Sequence, residues 1–230
     1  MLSAEKTLIR LAQAFAILTV FVFAVMSGPP FFSNASITPS RMPSPMIGLQ
    51  FARSVQQVDN ILGEAPSPDR EAARIKLYQG FAFIPSYVGL CIFICLALGK
   101  SNLMLRKRAA SGIFAIISAG TQDVLENLRI LRLVNLKLSD TETSLLDLIR
   151  LTALTKWMMV AITIAIIGYV FLRTVKRLTQ AIGAVSLLGA LLVVVGLFVN
   201  PLLQFGLVLM AAGLLASAAT LKLAIRNQHP

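Results

Sequence analysis

Between Leu178 and Leu221 the chain carries no charged side chain, and only Gln180, Asn200 and Gln204 are strongly polar. A stretch that long and that apolar does not suit a soluble core; it is enough for two membrane crossings of about 20 residues each, joined by a tight turn. The turn falls at Asn200-Pro201 and divides the stretch into runs 178–199 and 201–221. Four more apolar runs precede them, at 8–27, 77–99, 109–128 and 153–172. Charged residues make up 13% of the chain, about half the roughly 25% of an ordinary globular protein.

The basic residues give the six runs a direction. The N-terminus (Lys6, Arg10), 100–108 (Lys100, Arg106, Lys107, Arg108), 173–177 (Arg173, Lys176, Arg177) and the tail (Lys222, Arg226) together hold eleven Lys/Arg and one acid, Glu5. The remaining pieces hold ten Lys/Arg and nine acids. Basic and balanced pieces alternate, which predicts six crossings with both termini in the cytoplasm. The net charge of +11 therefore reads as orientation and attraction to anionic membrane lipids, and nucleic acid is not expected as a partner.

Histidine is nearly absent. His229, beside the C-terminus, is the sole one, which argues against His-based nucleophiles, metal sites and haem ligation. Cys91 and Cys95 lie four apart on one helix face without the spacing of a redox or zinc pair, and read as small buried hydrophobes. No cofactor or metal is expected.

Residues 1–27 read as a first, retained transmembrane helix; a cleaved signal peptide is the alternative, since small residues Ser27 and Gly28 follow the apolar run. Residues 28–75 form an extracytoplasmic segment whose prolines (Pro29, Pro30, Pro39, Pro43, Pro45) predict irregular backbone in its first half. Asn34-Ala35-Ser36 fits the glycosylation sequon and is read as fortuitous. From 48 to 62, Leu49, Phe51, Val55, Val58 and Leu62 recur at helical spacing and predict one amphipathic helix. Ser67-Pro68 predicts a capped helix start, followed by Asp69 and Glu71 at the positive end of the dipole.

Residues 76–136 hold the second and third spans, and 137–230 hold spans four to six and the tail. The third run is short, since Ala109–Thr121 covers only about 20 Å of a roughly 30 Å hydrocarbon core. The charge alternation nonetheless requires it to cross, with its outer end polar. Ser139 or Asp140 is the expected cap of a helix starting near Thr141, and Lys156 and Trp157 read as a snorkelling cation and an anchoring indole at the outer interface. Gly183, Ser186, Gly189 and Ala190, with Ala212, Gly213, Ala216 and Ser217, predict a closely packed hairpin of the last two helices.

The candidate site is the polar outer end of the third span. Asp123 and Asn127 share one helix face, while Gln122, Glu126 and Arg129 share an adjoining one, with Glu126 and Arg129 at ion-pair spacing. Counting about 1.5 Å per residue outward from the 100–108 loop brings Tyr87 and Phe83 of the second span level with Thr121 and Asp123. Gln79 and Tyr78 come level with Asn127, and Lys76 and Arg74 with Arg129. Ionisable groups in a membrane need partners, so Asp123, Glu126 and Asn127 should face the bundle interior.

Phe83-Ile84-Pro85-Ser86-Tyr87 followed by Asp123-Val124-Leu125-Glu126-Asn127 resembles a pattern in small uncharacterised bacterial polytopic membrane proteins, approximately Phe-Ile-Pro-x-Tyr and then Asp-x-x-Glu-Asn. The resemblance spans residues 83–127 and implies a bacterial plasma-membrane location and weight on Tyr87, Asp123, Glu126 and Asn127. It carries no known activity. An acidic residue often precedes the first motif in that pattern; here Gln79 or Gly80 stands there, which weighs against an acid pair across the two helices.

The expected fold is an all-α integral membrane bundle of about six transmembrane helices with an outer amphipathic segment. Three functional classes fit it. The first is a non-enzymatic scaffold that holds a lipid, a protein partner or a second copy of the chain. The second is a small proton- or cation-coupled transporter using Asp123 or Glu126. The third, disfavoured by the lack of histidine, is a lipid-modifying enzyme.

Overall fold

The structure is a computed structural model that describes residues 3–33, 42, 44–100 and 103–226. Among these the chain forms α1 (Ser3–Ser27), α2 (Pro45–Gln50), α3 (Val55–Leu62), α4 (Pro68–Gly99), α5 (Leu103–Asn135), α6 (Thr143–Leu172), α7 (Arg177–Gly196) and α8 (Asn200–Arg226), with no strand. The sequon, Pro39, Pro43 and His229 lie outside the described residues. Five helices, α1, α4, α6, α7 and α8, are long and apolar enough to cross a membrane. Helix α5 does not meet that measure: Gln122, Asp123, Glu126 and Asn127 interrupt its apolar run.

The long helices pack as consecutive neighbours, each antiparallel to the last. Phe15 stacks on Phe93 at 5.1 Å, while Lys76 donates to the carbonyls of Met26 and Gly28 at the far end of α1. Along α4 and α5 the contacts run from Gly99 at Ala109, through Tyr87 at Asp123 and Gly80 at Asn127, to Arg74 at Asn135. Along α5 and α6 they run from Gly112 at Thr163 to Arg129 at Leu148. The alternation brings the start of α1, the α4–α5 and α6–α7 turns and the end of α8 to one end of the bundle, where Lys6, Arg10, Arg106, Lys107, Arg108, Arg173, Lys176 and Arg177 collect.

Three apolar clusters fill the bundle. At the basic end, Ile9, Ile94, Phe171, Ile182 and Leu221 bring all the long helices together, with Ala109 from α5. A middle cluster joins Ile84, Ile116, Ile164, Val193 and Leu203. At the opposite end Leu49, Val58, Ile61 and Leu62 from the short helices pack on Leu77, Ile130, Leu133 and Leu146.

Helix α5 sorts its residues by face. Phe114, Ile117, Val124, Leu125 and Leu128 are exposed, between 36% and 73%, whereas Glu126 and Asn127 are buried at 0% and 7%. Between Phe114 and Leu128 the carboxylates thus turn inward, and the side that α5 presents outward is apolar apart from Thr121.

The expected single helix over 48–62 is two helices. Ser54 extends and caps α3 by accepting from the Gln57 amide at 3.3 Å, and the Gln57 side chain reaches back to the Arg53 amide at 2.7 Å. Ser54-x-x-Gln57 is a variant of the capping box, and it ends one helix to begin another. The apolar face survives the break: Leu49, Val58 and Leu62 are fully buried, and Phe51 and Val55 are half-buried. Ser67 caps α4 as expected, accepting from the Arg70 amide at 3.2 Å. Ser139 and Asp140 cap nothing. They lie in a short 3-10 turn, Leu138–Asp140, and α6 begins at Thr143.

Asp69 does more than favour the dipole of α4, and Arg70 beside it holds a second helix. Buried Arg70 donates to the carbonyls of Leu133, Val134 and Leu136 at 3.5, 2.9 and 2.6 Å, closing the C-terminus of α5, and to Gly63 at 2.9 Å. A cation bonded to the last carbonyls of a helix satisfies both its orphan acceptors and its dipole. Asp69 accepts from the amide and hydroxyl of Ser33 at 2.6 and 2.7 Å, and so holds the chain leaving α1.

The α7–α8 hairpin is close-packed as expected, with Ser186, Gly189 and Gly213 of the expected set at the contact and Gly196 and Gly206 added to it. A Cβ on Gly189 would lie 2.5 Å from the Met210 amide nitrogen, and one on Gly206 2.5 Å from that of Val193. Gly196 and Gly213 meet Leu203 and Ser186 in the same register. Gly183 instead faces α6, where a Cβ would sit 2.6 Å from the Gly168 carbonyl, and Ala212 is exposed.

Candidate functional site

The polar residues of α5 meet α4 on one side and α6 on the other, between the middle apolar cluster and the one opposite the basic end. The α4–α5 register delivers the Tyr87 hydroxyl to Asp123, where it donates to Oδ2 at 3.0 Å. Tyr87 is 9% exposed, its ring tilted against Phe83 at 5.4 Å. A buried phenol needs such an acceptor.

Lys156 supplies the centre of the cluster. From α6 its Nζ donates to Asp123 Oδ1 at 3.1 Å and to Glu126 Oε1 at 2.8 Å. The lysine side chain is 4% exposed, that of Glu126 0% and that of Asp123 15%. Lys156 is therefore a buried counter-ion and not a snorkelling cation at the interface. The helical angle explains the correction: it puts Lys156 on the same side of α6 as the buried Thr152, Ala153, Val160 and Thr163. Its neighbour Trp157 donates through Nε1 to Gln50 of α2 at 3.3 Å, and the Lys156 ammonium lies 5.0 Å from the indole centroid. The outer helix α2 is thus tied down beside the cluster.

The other expected members divide. Asn127 is buried against Gly80, where a Cβ would come within 3.1 Å of Nδ2, so the glycine makes room for the amide. Gln122 is half-buried and makes none of the cluster's hydrogen bonds. Gln79 is half-buried, and its Oε1 is enclosed without a hydrogen-bond partner. Tyr78 is 57% exposed and turns away from the cluster. Arg129 does not pair with Glu126; it reaches across to the Leu148 carbonyl at 3.2 Å, while Glu126 pairs with Lys156. Arg74 and Lys76 lie beyond Arg129, on Asn135 and on the end of α1.

One ammonium thus faces two carboxylates. Both oxygens of Asp123 are engaged, by Lys156 and Tyr87, while Glu126 Oε2 is buried with no hydrogen-bond partner. A buried carboxylate oxygen left bare is costly. A cavity of about 150 Å³ lies further out, lined by Arg132, Leu136, Asp140, Glu142, Ser144, Leu145 and Leu148, and neither Asp123 nor Glu126 borders it. Cys91 and Cys95 are free and buried, deeper along α4. Among the described residues no group of three His, Cys, Asp or Glu side chains is arranged to hold a metal.

No protein-family model, no curated protein and no solved structure matches this chain.

Proposed function

We propose that this chain is a six-crossing, non-enzymatic membrane protein that holds a lipid or protein partner, and that the Tyr87–Asp123–Lys156–Glu126 cluster is the lock fixing its three central helices. The sixth crossing is α5. Its support is the antiparallel register with two apolar long helices, α4 and α6, together with an outward stripe that is itself apolar. Positive-inside orientation puts the basic end in the cytoplasm of a bacterial plasma membrane, and α2–α3 outside.

The observation that carries the lock is Lys156 at 4% exposure, bonded to two carboxylates of α5 while one of those carboxylates bonds Tyr87 of α4. Apart from Glu126 Oε2, the polar atoms of Asp123, Tyr87, Lys156 and Glu126 satisfy one another, and a lock needs no substrate. As a lock the cluster makes two substitutions differ. Asp123→Asn keeps an oxygen for Lys156 and offers an amide N–H that the Tyr87 oxygen can accept, and costs little; Asp123→Leu strands the Tyr87 hydroxyl, leaves Lys156 with Glu126 alone and costs about 1–3 kcal/mol. Melting temperature and complementation of a deletion strain test it. A folded, stable Asp123→Asn protein that fails to complement would replace the lock by a working site.

A second reading rests on Glu126 Oε2. A proton or a small cation is the partner that would satisfy this oxygen and balance the second carboxylate, and a binding site of that kind is what an ion-coupled transporter needs.

A further inference from the structure

At the basic end two guanidinium groups from different helices converge on one tyrosine. Arg108 of α5 lies 4.6 Å from the centroid of the Tyr169 ring, and Arg173, one turn beyond Tyr169 on α6, lies 5.3 Å from it. Arg173 also donates to the Tyr169 hydroxyl through Nε and Nη2, at 3.1 and 2.9 Å. Cations stack favourably on such a ring. Among the described residues, however, no carboxylate stands within ion-pair distance of either arginine.

The platform is built rather than casual. The α6–α7 turn that carries Arg173 is stiffened by Gln180, whose amide donates to the Thr174 carbonyl at 2.8 Å, and by the buried Thr174 hydroxyl, which donates to Phe171 at 2.7 Å. Arg108 is held by the same α5–α6 register that fixes Lys156. Both arginines stand where apolar helices end, the depth of a lipid headgroup.

We propose that Arg108, Tyr169 and Arg173 form a receptor for a phosphodiester, supplied by the headgroup of an anionic phospholipid. Guanidinium N–H groups match phosphate oxygens in geometry and charge, and Tyr169 holds both guanidinium groups at one place. This deepens the lipid-holding reading above and rests on it for the presence of a bilayer at this end.

The test compares protein in nanodiscs of phosphatidylcholine alone with protein in nanodiscs containing phosphatidylglycerol, by melting temperature and by native mass spectrometry of retained lipid. The parent should melt higher in the anionic discs and retain phosphatidylglycerol. Arg108→Gln/Arg173→Gln should lose that increment and bind the lipid about tenfold more weakly or worse, yet melt like the parent in phosphatidylcholine. Tyr169→Leu should lose the increment too, and Lys176→Gln/Arg177→Gln should keep most of it. An increment that survives the arginine double variant, or is lost equally in the Lys176/Arg177 variant, overturns the site in favour of diffuse charge. Inorganic phosphate alone reproducing the increment in detergent overturns the lipid as its source. Labelling of Val175→Cys from outside the cell would contradict the orientation while leaving a retained lipid adduct as evidence for the site, so the two failures are distinguishable.

Discussion

Replacing Lys156 by Met keeps most of the apolar stem of the side chain and removes the ammonium group, with its charge and its hydrogen bonds. Two ion pairs disappear, at 3.1 Å to Asp123 and 2.8 Å to Glu126. Were these surface pairs, the loss would be about 0–1 kcal/mol. They are not: side-chain exposures of 4%, 15% and 0% put them in the regime where stranding a charge costs about 3–5 kcal/mol. Asp123 keeps the Tyr87 hydroxyl, so Glu126 bears most of the loss. Against a typical total of about 5–15 kcal/mol, the variant should be conspicuously weak. Equilibrium unfolding in mixed micelles, by stepwise addition of a denaturing detergent, measures the difference. Adding Glu126→Gln to the Lys156→Met chain removes the stranded charge and should recover more than about 1 kcal/mol, a coupling expected only of contacting groups. A Lys156→Met protein within about 1 kcal/mol of the parent, or a double variant that recovers nothing, would refute the reasoning.

Gly206→Val should force α7 and α8 apart, since even its Cβ would lie 2.5 Å from the Val193 amide; a cost of about 1–3 kcal/mol or failure to accumulate is expected in a melting assay. Gly89→Leu should collide with Phe15 and lower the melting temperature, with Phe15→Ala restoring part of it; indifference to Gly89→Leu would mean that α1 is not seated on α4. Arg70→Leu should free the C-terminal carbonyls of α5 and raise amide exchange in the turns around Gly63 and Leu136, with a loss of about 1.5–3 kcal/mol; unchanged exchange would show that Arg70 caps nothing.

The α4–α5 register was legible because a short basic loop fixes its origin and 1.5 Å per residue does the rest: that count set Tyr87 level with Asp123, and their side chains bond. Lys156 was not legible in the same way. A lysine followed by tryptophan near a span end matches an interfacial anchor, and the α5–α6 register that buries it has no tight loop from which to count. Its burial then changed the reading of its neighbours, since the carboxylate assigned to Arg129 belongs to Lys156. The break between α2 and α3 was present in Ser54-x-x-Gln57, a capping signal masked by an unbroken apolar periodicity. Gly189 and Gly213 were legible as small residues of the α7–α8 contact; Gly196 and Gly206, each seven residues from one of them, complete the register. Tyr78 shows the limit of depth counting, which fixes a level along the helix but not a side-chain azimuth.

The central claim is that α5 crosses the membrane with its carboxylates turned inward. Single cysteines at Arg106, in the first turn of α5, and at Asp140, beyond its other end, both exposed, test it in a chain with Cys91 and Cys95 replaced by alanine. With a membrane-impermeant maleimide on intact cells, Asp140→Cys should label at once and Arg106→Cys only after permeabilisation. Labelling of both from the same side would show that α5 does not cross, and the six-crossing lock would fall with it.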